Sequence, residues 1–217
     1  MTRTCHRLSL ALVAGLLVLV AGCTASGSDN PAGVQVRRSA DPSGFRGAAL
    51  AEPYTMPDQS FTDTSGQAYN LRTTSSRPVT LLFFGYTHCP DVCTGVMSDV
   101  ATALSRMDPS ARERIQVVFV TTDPARDNEK TIRAYLDRFD PDFVGLTGDL
   151  PAIKTVAGRV GVDIEGMKKL PSGGYEVGHS AQVLGFGKDH KARVLWTPST
   201  AVGDLMHDFD LLVAKQQ

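Results

Sequence analysis

Two cysteines, Cys89 and Cys93, lie close together in the stretch Phe83-Phe84-Gly85-Tyr86-Thr87-His88-Cys89-Pro90-Asp91-Val92-Cys93. A thiolate attacks disulfides and binds soft metals. Such a pair can therefore close a disulfide, exchange with another one, or share a metal ion. A third donor, His179, stands in Tyr175-Glu176-Val177-Gly178-His179-Ser180. Thiolates select Cu(I) and Zn(II), and imidazole suits copper and zinc equally. Structural zinc wants four protein ligands, and no third cysteine accompanies this pair. Three donors fit Cu(I), or Cu(II) with one added ligand. Asp123, in Val120-Thr121-Thr122-Asp123-Pro124, is a candidate for a place behind these donors.

The elements that must position these residues follow from hydrophobic periodicity. Residues 79–84 form a continuous apolar run, the pattern of a strand buried on both faces. Residues 97–107 carry an amphipathic helical pattern that stops at Asp108-Pro109. The cysteines thus sit where a strand turns into a helix. Free N–H groups and the positive end of the dipole there favour a thiolate. If the helix has begun, the four-residue spacing stacks the two sulfurs. Residues 115–121 predict a second central strand and 127–139 a helix, with Asp127 as its N-cap. A short strand at 143–146 and a short helix at 151–159 follow. Residues 181–186 and 192–197 read as an antiparallel pair, and 200–214 as a last helix. Ahead of these, 54–71 reads as a β-hairpin with Asp63-Thr64-Ser65-Gly66 as its turn. The order predicts an α/β, thioredoxin-like sandwich with an N-terminal β-hairpin extension. In such sheets the site lies beyond the carboxyl ends of the parallel strands. Cys89 and Asp123 should share that edge.

Arg3 and Arg7 precede an uncharged apolar run, residues 8–21, which is the layout of an export signal. The run is short for a membrane span, which needs roughly 20 apolar residues. It ends in Leu19-Val20-Ala21-Gly22-Cys23, which resembles a bacterial lipobox with Cys23 as the acylated residue. Residues 1–22 are therefore expected to be a lipoprotein signal peptide and 23–51 a lipidated cysteine with a flexible tether. Residues 52–217 are expected to be the folded head. Loss of Arg3 and Arg7 would shift the formal charge from −1 to −3. Two acyl chains give stable anchoring, so the expected location is the extracytoplasmic face of the cell membrane. No Lys/Arg block suggests nucleic-acid binding.

The stretch Gly85-Tyr86-Thr87-His88-Cys89-Pro90-Asp91-Val92-Cys93 closely resembles the signature of the Sco/SenC family of membrane-tethered copper proteins. Asp123-Pro124-Ala125-Arg126-Asp127 resembles that family's second motif, and His179-Ser180 its third. The resemblance covers about residues 52–214. It implies a thioredoxin-like fold with copper held by Cys89, Cys93 and His179. It also implies delivery of copper to the binuclear site in subunit II of cytochrome c oxidase, with possible reduction of that site's cysteines. An upstream copper donor or thiol reductant would be a further partner. Two departures stand out: Thr94 where the family usually has Pro after the second Cys, and Gly178 where it often has Asp before the His.

Other readings compete. A dithiol oxidoreductase would use Cys89 and Cys93 and would not need His179. A peroxiredoxin-like peroxidase is a poorer match, because the residues around Cys89 lack that pattern. A structural disulfide is common in exported domains, but over so short a loop it stabilises little. His88 should point away from Cys89. His190, in a turn, and His207, on a helix, should face solvent. Met97 should belong to the core.

Overall fold

The structure is a computed structural model that describes residues 43–171 and 173–216. The expected signal peptide, Cys23 and most of the tether lie outside the described residues. The chain opens with β1 (Ala48–Thr55), β2 (Ser60–Asp63) and β3 (Ala68–Asn70), followed by β4 (Val79–Gly85) and α1 (Val92–Ser105). Next come α2 (Pro109–Arg112), β5 (Ile115–Thr121), α3 (Glu129–Leu136), β6 (Val144–Thr147) and α4 (Leu150–Arg159). The chain closes with β7 (Ile164–Lys169), β8 (Tyr175–His179), β9 (Val183–Phe186), β10 (Lys191–Trp196) and α5 (Val202–Ala214). No helix of the described residues is long and apolar enough to cross a membrane.

One sheet has the order β1-β10-β9-β4-β5-β6-β2-β3, and β7-β8 form a separate pair. Strand β4 is buried at every position, so it must lie at the centre. It pairs in parallel with β5 and antiparallel with β9. Within this sheet β10-β9-β4-β5 is the thioredoxin-like core, with helices packed against it. The predicted hairpin forms as β2-β3, and β2 pairs with β6, so it continues the sheet at one edge.

The fold begins earlier than residue 52. Strand β1 pairs with β10, with Ala48 facing Leu195. Just before it, the Arg46 and Gly47 backbone N–H groups donate to the Asp208 carboxylate at 2.7–3.0 Å. Trp196 Nε1 donates to the same buried group at 2.9 Å. His207 also lies against it, at 2.9 Å, and so is not simply solvent-facing. Residues 46–51 are therefore part of the fold and not tether. Val183 faces Phe83 and Trp196 faces Val183, so the chain joins the sheet at the carboxyl end of β4. The Cys89 turn leaves the sheet from that same end.

Candidate metal centre

Helix α1 starts at Val92, so Cys93 is on the helix and Cys89 is in the turn before it. The two sulfurs do not stack as successive helical residues. They meet because Cys89 turns back over the helix start. Asp91, the N-cap, makes no side-chain capping bond. The Cys89 sulfur takes that role, accepting from the Cys93 backbone N–H at 3.3 Å. Cys93 is fully buried and Cys89 is half-buried. They are not joined in a disulfide. Gly85 makes room for this arrangement, because a Cβ there would come 2.7 Å from the Phe83 ring and 3.2 Å from Cys93 Sγ.

The pair is electrically asymmetric. A hydrogen bond from the Cys93 thiol, above all, pulls the Cys89 pKa down to about 5, against the opposing effect of burial. The Cys93 and Asp91 backbone N–H groups and the nearby His179 act in the same direction. Cys93 moves the other way, because it donates to Cys89, is buried and faces that sulfur's charge. The metal-free pair is one thiolate and one thiol.

His179 closes strand β8. Its Nε2 lies 3.5 Å from Cys93 Sγ, and its Nδ1 lies 3.1 Å from the Val177 carbonyl. Its ring meets Tyr86 edge-on at 5.6 Å. The contacts run from Cys89 to Cys93 to His179. Among the described residues no group of three or more His, Cys, Asp or Glu side chains converges on one point as it stands. The sulfur–nitrogen separation nevertheless fits shared ligation. Bond lengths of about 2.3 and 2.0 Å at a near-tetrahedral angle place S and N about 3.5 Å apart. Two soft sulfurs and one imidazole suit copper.

Asp123 is buried and stands behind these donors. It accepts from the Tyr175 hydroxyl at 2.9 Å and pairs with Arg126 Nε. Asp127 is not the N-cap of α3. That role falls to Asn128, whose side chain accepts from Thr131 N–H at 2.9 Å. Asp127 is instead fully buried and grips the cysteine turn. Its carboxylate accepts from Thr87 N–H at 2.9 Å, Thr87 Oγ1 at 2.6 Å and Thr121 Oγ1 at 2.7 Å. This bonding was missed because Asp127 and Asn128 are both good capping types, and nothing local chooses between them. His88 faces Thr87 and Asp127, at 3.0 and 3.6 Å, and is half-exposed. Met97 is core. His190 sits in the β9–β10 turn with φ of 58°.

The two departures have visible consequences. Thr94 falls in the first turn of α1 and is exposed, so the helix starts without a proline there. Gly178 leaves open a space that Glu165 of β7 fills. A Cβ at 178 would lie 2.5 Å from Glu165 Oε2. A carboxylate thus stands beside residue 178 even though that residue supplies none.

The SCO1/SenC family model matches residues 48–213. The mitochondrial protein SCO2 of Saccharomyces cerevisiae is 29% identical over 167 residues, covering 76% of this chain and 54% of its own length. The apo Sco1 protein of Thermus thermophilus is 32% identical with a TM-score of 0.68, covering 77% of this chain and 96% of that one. ScoI of Bradyrhizobium japonicum, solved with copper bound, is 27% identical with a TM-score of 0.63, covering 76% and 99%. The fold also matches BsSco, described as a member of the Sco family of cytochrome c oxidase assembly proteins, at 20% identity and a TM-score of 0.56, covering 76% and 98%.

Proposed function

Because the chain belongs to the SCO1/SenC family, we propose that its head binds copper through Cys89, Cys93 and His179 and serves cytochrome c oxidase assembly as a metallochaperone. The recipient in this reading is the binuclear copper site of oxidase subunit II. The ion is cargo, taken from an upstream donor and passed on. The observation that carries the reading is the contact between Cys93 Sγ and His179 Nε2, with the Cys89 sulfur against the same helical turn. A buried thiol, a half-buried thiolate and an imidazole held by its other nitrogen make a soft, partly open site. An open site suits an ion that must leave again.

Cys89 and Cys93 must both lose protons to hold an ion, so uptake requires the reduced pair. Cys89 already favours the thiolate. Cys93 gives up its proton as the metal arrives. Cys23 acylation would tether the head to the extracytoplasmic face of the membrane. The chain joins the fold at the sheet end that carries the site, which supports keeping the site near a membrane-bound recipient.

The test is a ligand series on the reduced protein. Cys89→Ala and Cys93→Ala should abolish tight copper binding. His179→Ala should retain Cu(I) on two sulfurs but weaken Cu(II), which prefers nitrogen donors. Equal Cu(I) uptake by oxidised and reduced protein would end the proposal.

The asymmetric thiol pair favours a second reading, an extracytoplasmic thiol–disulfide oxidoreductase. A low-pKa cysteine beside a protonated partner can attack a disulfide and then be resolved. This chemistry could act on the recipient's cysteines. His179→Ala should leave dithiol exchange intact, which separates the two roles.

A further inference from the structure

His179 is carried by an element that the main sheet does not hold. Strands β7 and β8 pair only with each other, and most of β7 is exposed. The buried anchors of this hairpin are Ile164 and Val177. At Tyr175, the first residue of β8, the polar ties to the rest of the molecule run through Arg126 and its partner Asp123. Arg126 Nη1 donates to the Tyr175 carbonyl at 3.1 Å. The Arg126 guanidinium lies 3.7 Å from the Tyr175 ring centroid and 5.7 Å from that of Tyr86. Its Nε pairs with Asp123, which in turn accepts from the Tyr175 hydroxyl. Tyr86 accepts from the Val177 backbone N–H at 3.3 Å through its hydroxyl. Its ring meets His179. Arg126 therefore links the β5–α3 turn directly to the start of the strand that ends in His179, and through Tyr86 to the His179 ring.

We infer that Arg126 is a positioning residue for His179, latching the β7–β8 hairpin so that the imidazole stays against Cys93. The inference rests on the ligand reading above. Arg126 does not touch the donors. It acts by holding β8, and the third donor follows the strand. Loss of the latch should therefore reproduce the metal phenotype of His179→Ala with all three donors still in the chain. A lysine cannot replace it fully. Its ammonium can sit on a tyrosine ring, but it cannot reach Asp123 and the Tyr175 carbonyl in the fixed fork of a guanidinium.

The experiment uses the purified full chain, reduced, as wild type, Arg126→Ala, Arg126→Lys, His179→Ala and the Arg126→Ala/His179→Ala double variant. Two readouts need no metal. Amide exchange across 175–179 should be about ten- to a hundredfold faster in Arg126→Ala, the factor for losing a hydrogen bond to a charged group. It should be intermediate in Arg126→Lys. The NMR signals of the His179 ring, shifted in the wild type by the Tyr86 ring, should move towards those of an exposed histidine. With metal, Arg126→Ala should keep its Cu(I) stoichiometry and lose Cu(II) affinity and its absorption bands. The double variant should bind Cu(II) no worse than His179→Ala. Unchanged exchange and unchanged His179 signals would overturn the latch. Faster exchange with an unaltered Cu(II) site would overturn its role in positioning. An equal Arg126 effect with and without His179 would show that it acts by another route, and would also overturn it. If Arg126→Ala does not fold, Arg126→Lys carries the same comparisons. If wild-type protein takes up no copper, the ligand reading fails by itself, and the two metal-free readouts still decide the latch.

Discussion

Asp127 offers the sharpest test of how the cysteine turn is held. Its carboxylate is fully buried and accepts three hydrogen bonds, from Thr87 N–H, Thr87 Oγ1 and Thr121 Oγ1. Asp127→Ala removes every one of these acceptors. It leaves the hydroxyl of Thr121, itself fully buried, without its partner. Hydrogen bonds to a charged group are worth about 1.5–3 kcal/mol each but do not add. Breaking a buried charged cluster by removing one member costs about 3–5 kcal/mol. Asp127→Asn differs in kind. Its amide oxygen can take both bonds now made to Oδ2, from Thr87 N–H and Thr121. Its NH2 group then faces Thr87 Oγ1, which can turn to accept. Only the charge assistance is lost, about 1–2 kcal/mol. Urea unfolding of the reduced head, followed by circular dichroism, reads both values. With a slope of ~2 kcal/mol/M the midpoint should fall by about 1.5–2.5 M for Ala and about 0.5–1 M for Asn. An Ala variant within ~1 kcal/mol of wild type, or an Asn variant as damaged as Ala, would refute the reasoning.

Four further outcomes are expected. Iodoacetamide should modify Cys89 in the reduced, metal-free protein with a midpoint near pH 5, and Cys93→Ala should move that midpoint upward because its thiol is the main cause of the shift; a wild-type midpoint near the ordinary thiol value of about 8.5 would count against the pair. The same shift sets a sign for stability. Cys89 has a lowered folded pKa, so its contribution is complete above the unfolded thiol value and fades as pH falls towards about 5. Cys93, shifted upward, contributes below the unfolded value and loses that contribution above it. The rise in reduced-state stability between about pH 5 and 8 should therefore disappear in Cys89→Ala. Cys23→Ala should leave the precursor uncut and without fatty-acid label; normal maturation would remove the anchor from the account. Gly178→Ala should displace Glu165 yet leave copper uptake unchanged, because residues 178 and 179 face opposite sides of β8; a lost Cu(II) signal would mean that Glu165 helps to hold the ion.

The parts of this molecule that were legible in the sequence are those whose pattern is set by burial. Strands β4 and β5 announced themselves as apolar runs because both their faces are covered. The β2–β3 turn was equally plain, with Asp63 accepting from Ser65 and Gln67 in the loop its residue type suggests. The hairpin that carries His179 was not found, and its composition explains why. After Ile164, strand β7 is exposed throughout and presents no apolar period. Pro171 and Ser172, with Gly173 and Gly174 at positive φ, were the local sign of a turn between the two strands. Strand β1 was hidden in the same way, since its burial alternates weakly and a polar, glycine-rich stretch precedes it. The site divides along similar lines. Cys89, Cys93 and His179 could be named from their chemistry, because few residue types bind soft metals. The grip of Arg126 on Tyr175 spans 49 positions and exists only after β8 has folded back across the β5–α3 turn. Asp123, Arg126 and Asp127 form one short motif, yet they act on two separate segments. Asp127 holds the turn that leads to Cys89, while Asp123 and Arg126 hold the strand that leads to His179. That division explains how a site with donors at a helix start and on a separate hairpin can stay assembled without a metal. It also implies that perturbing Asp127 and Arg126 should damage different donors.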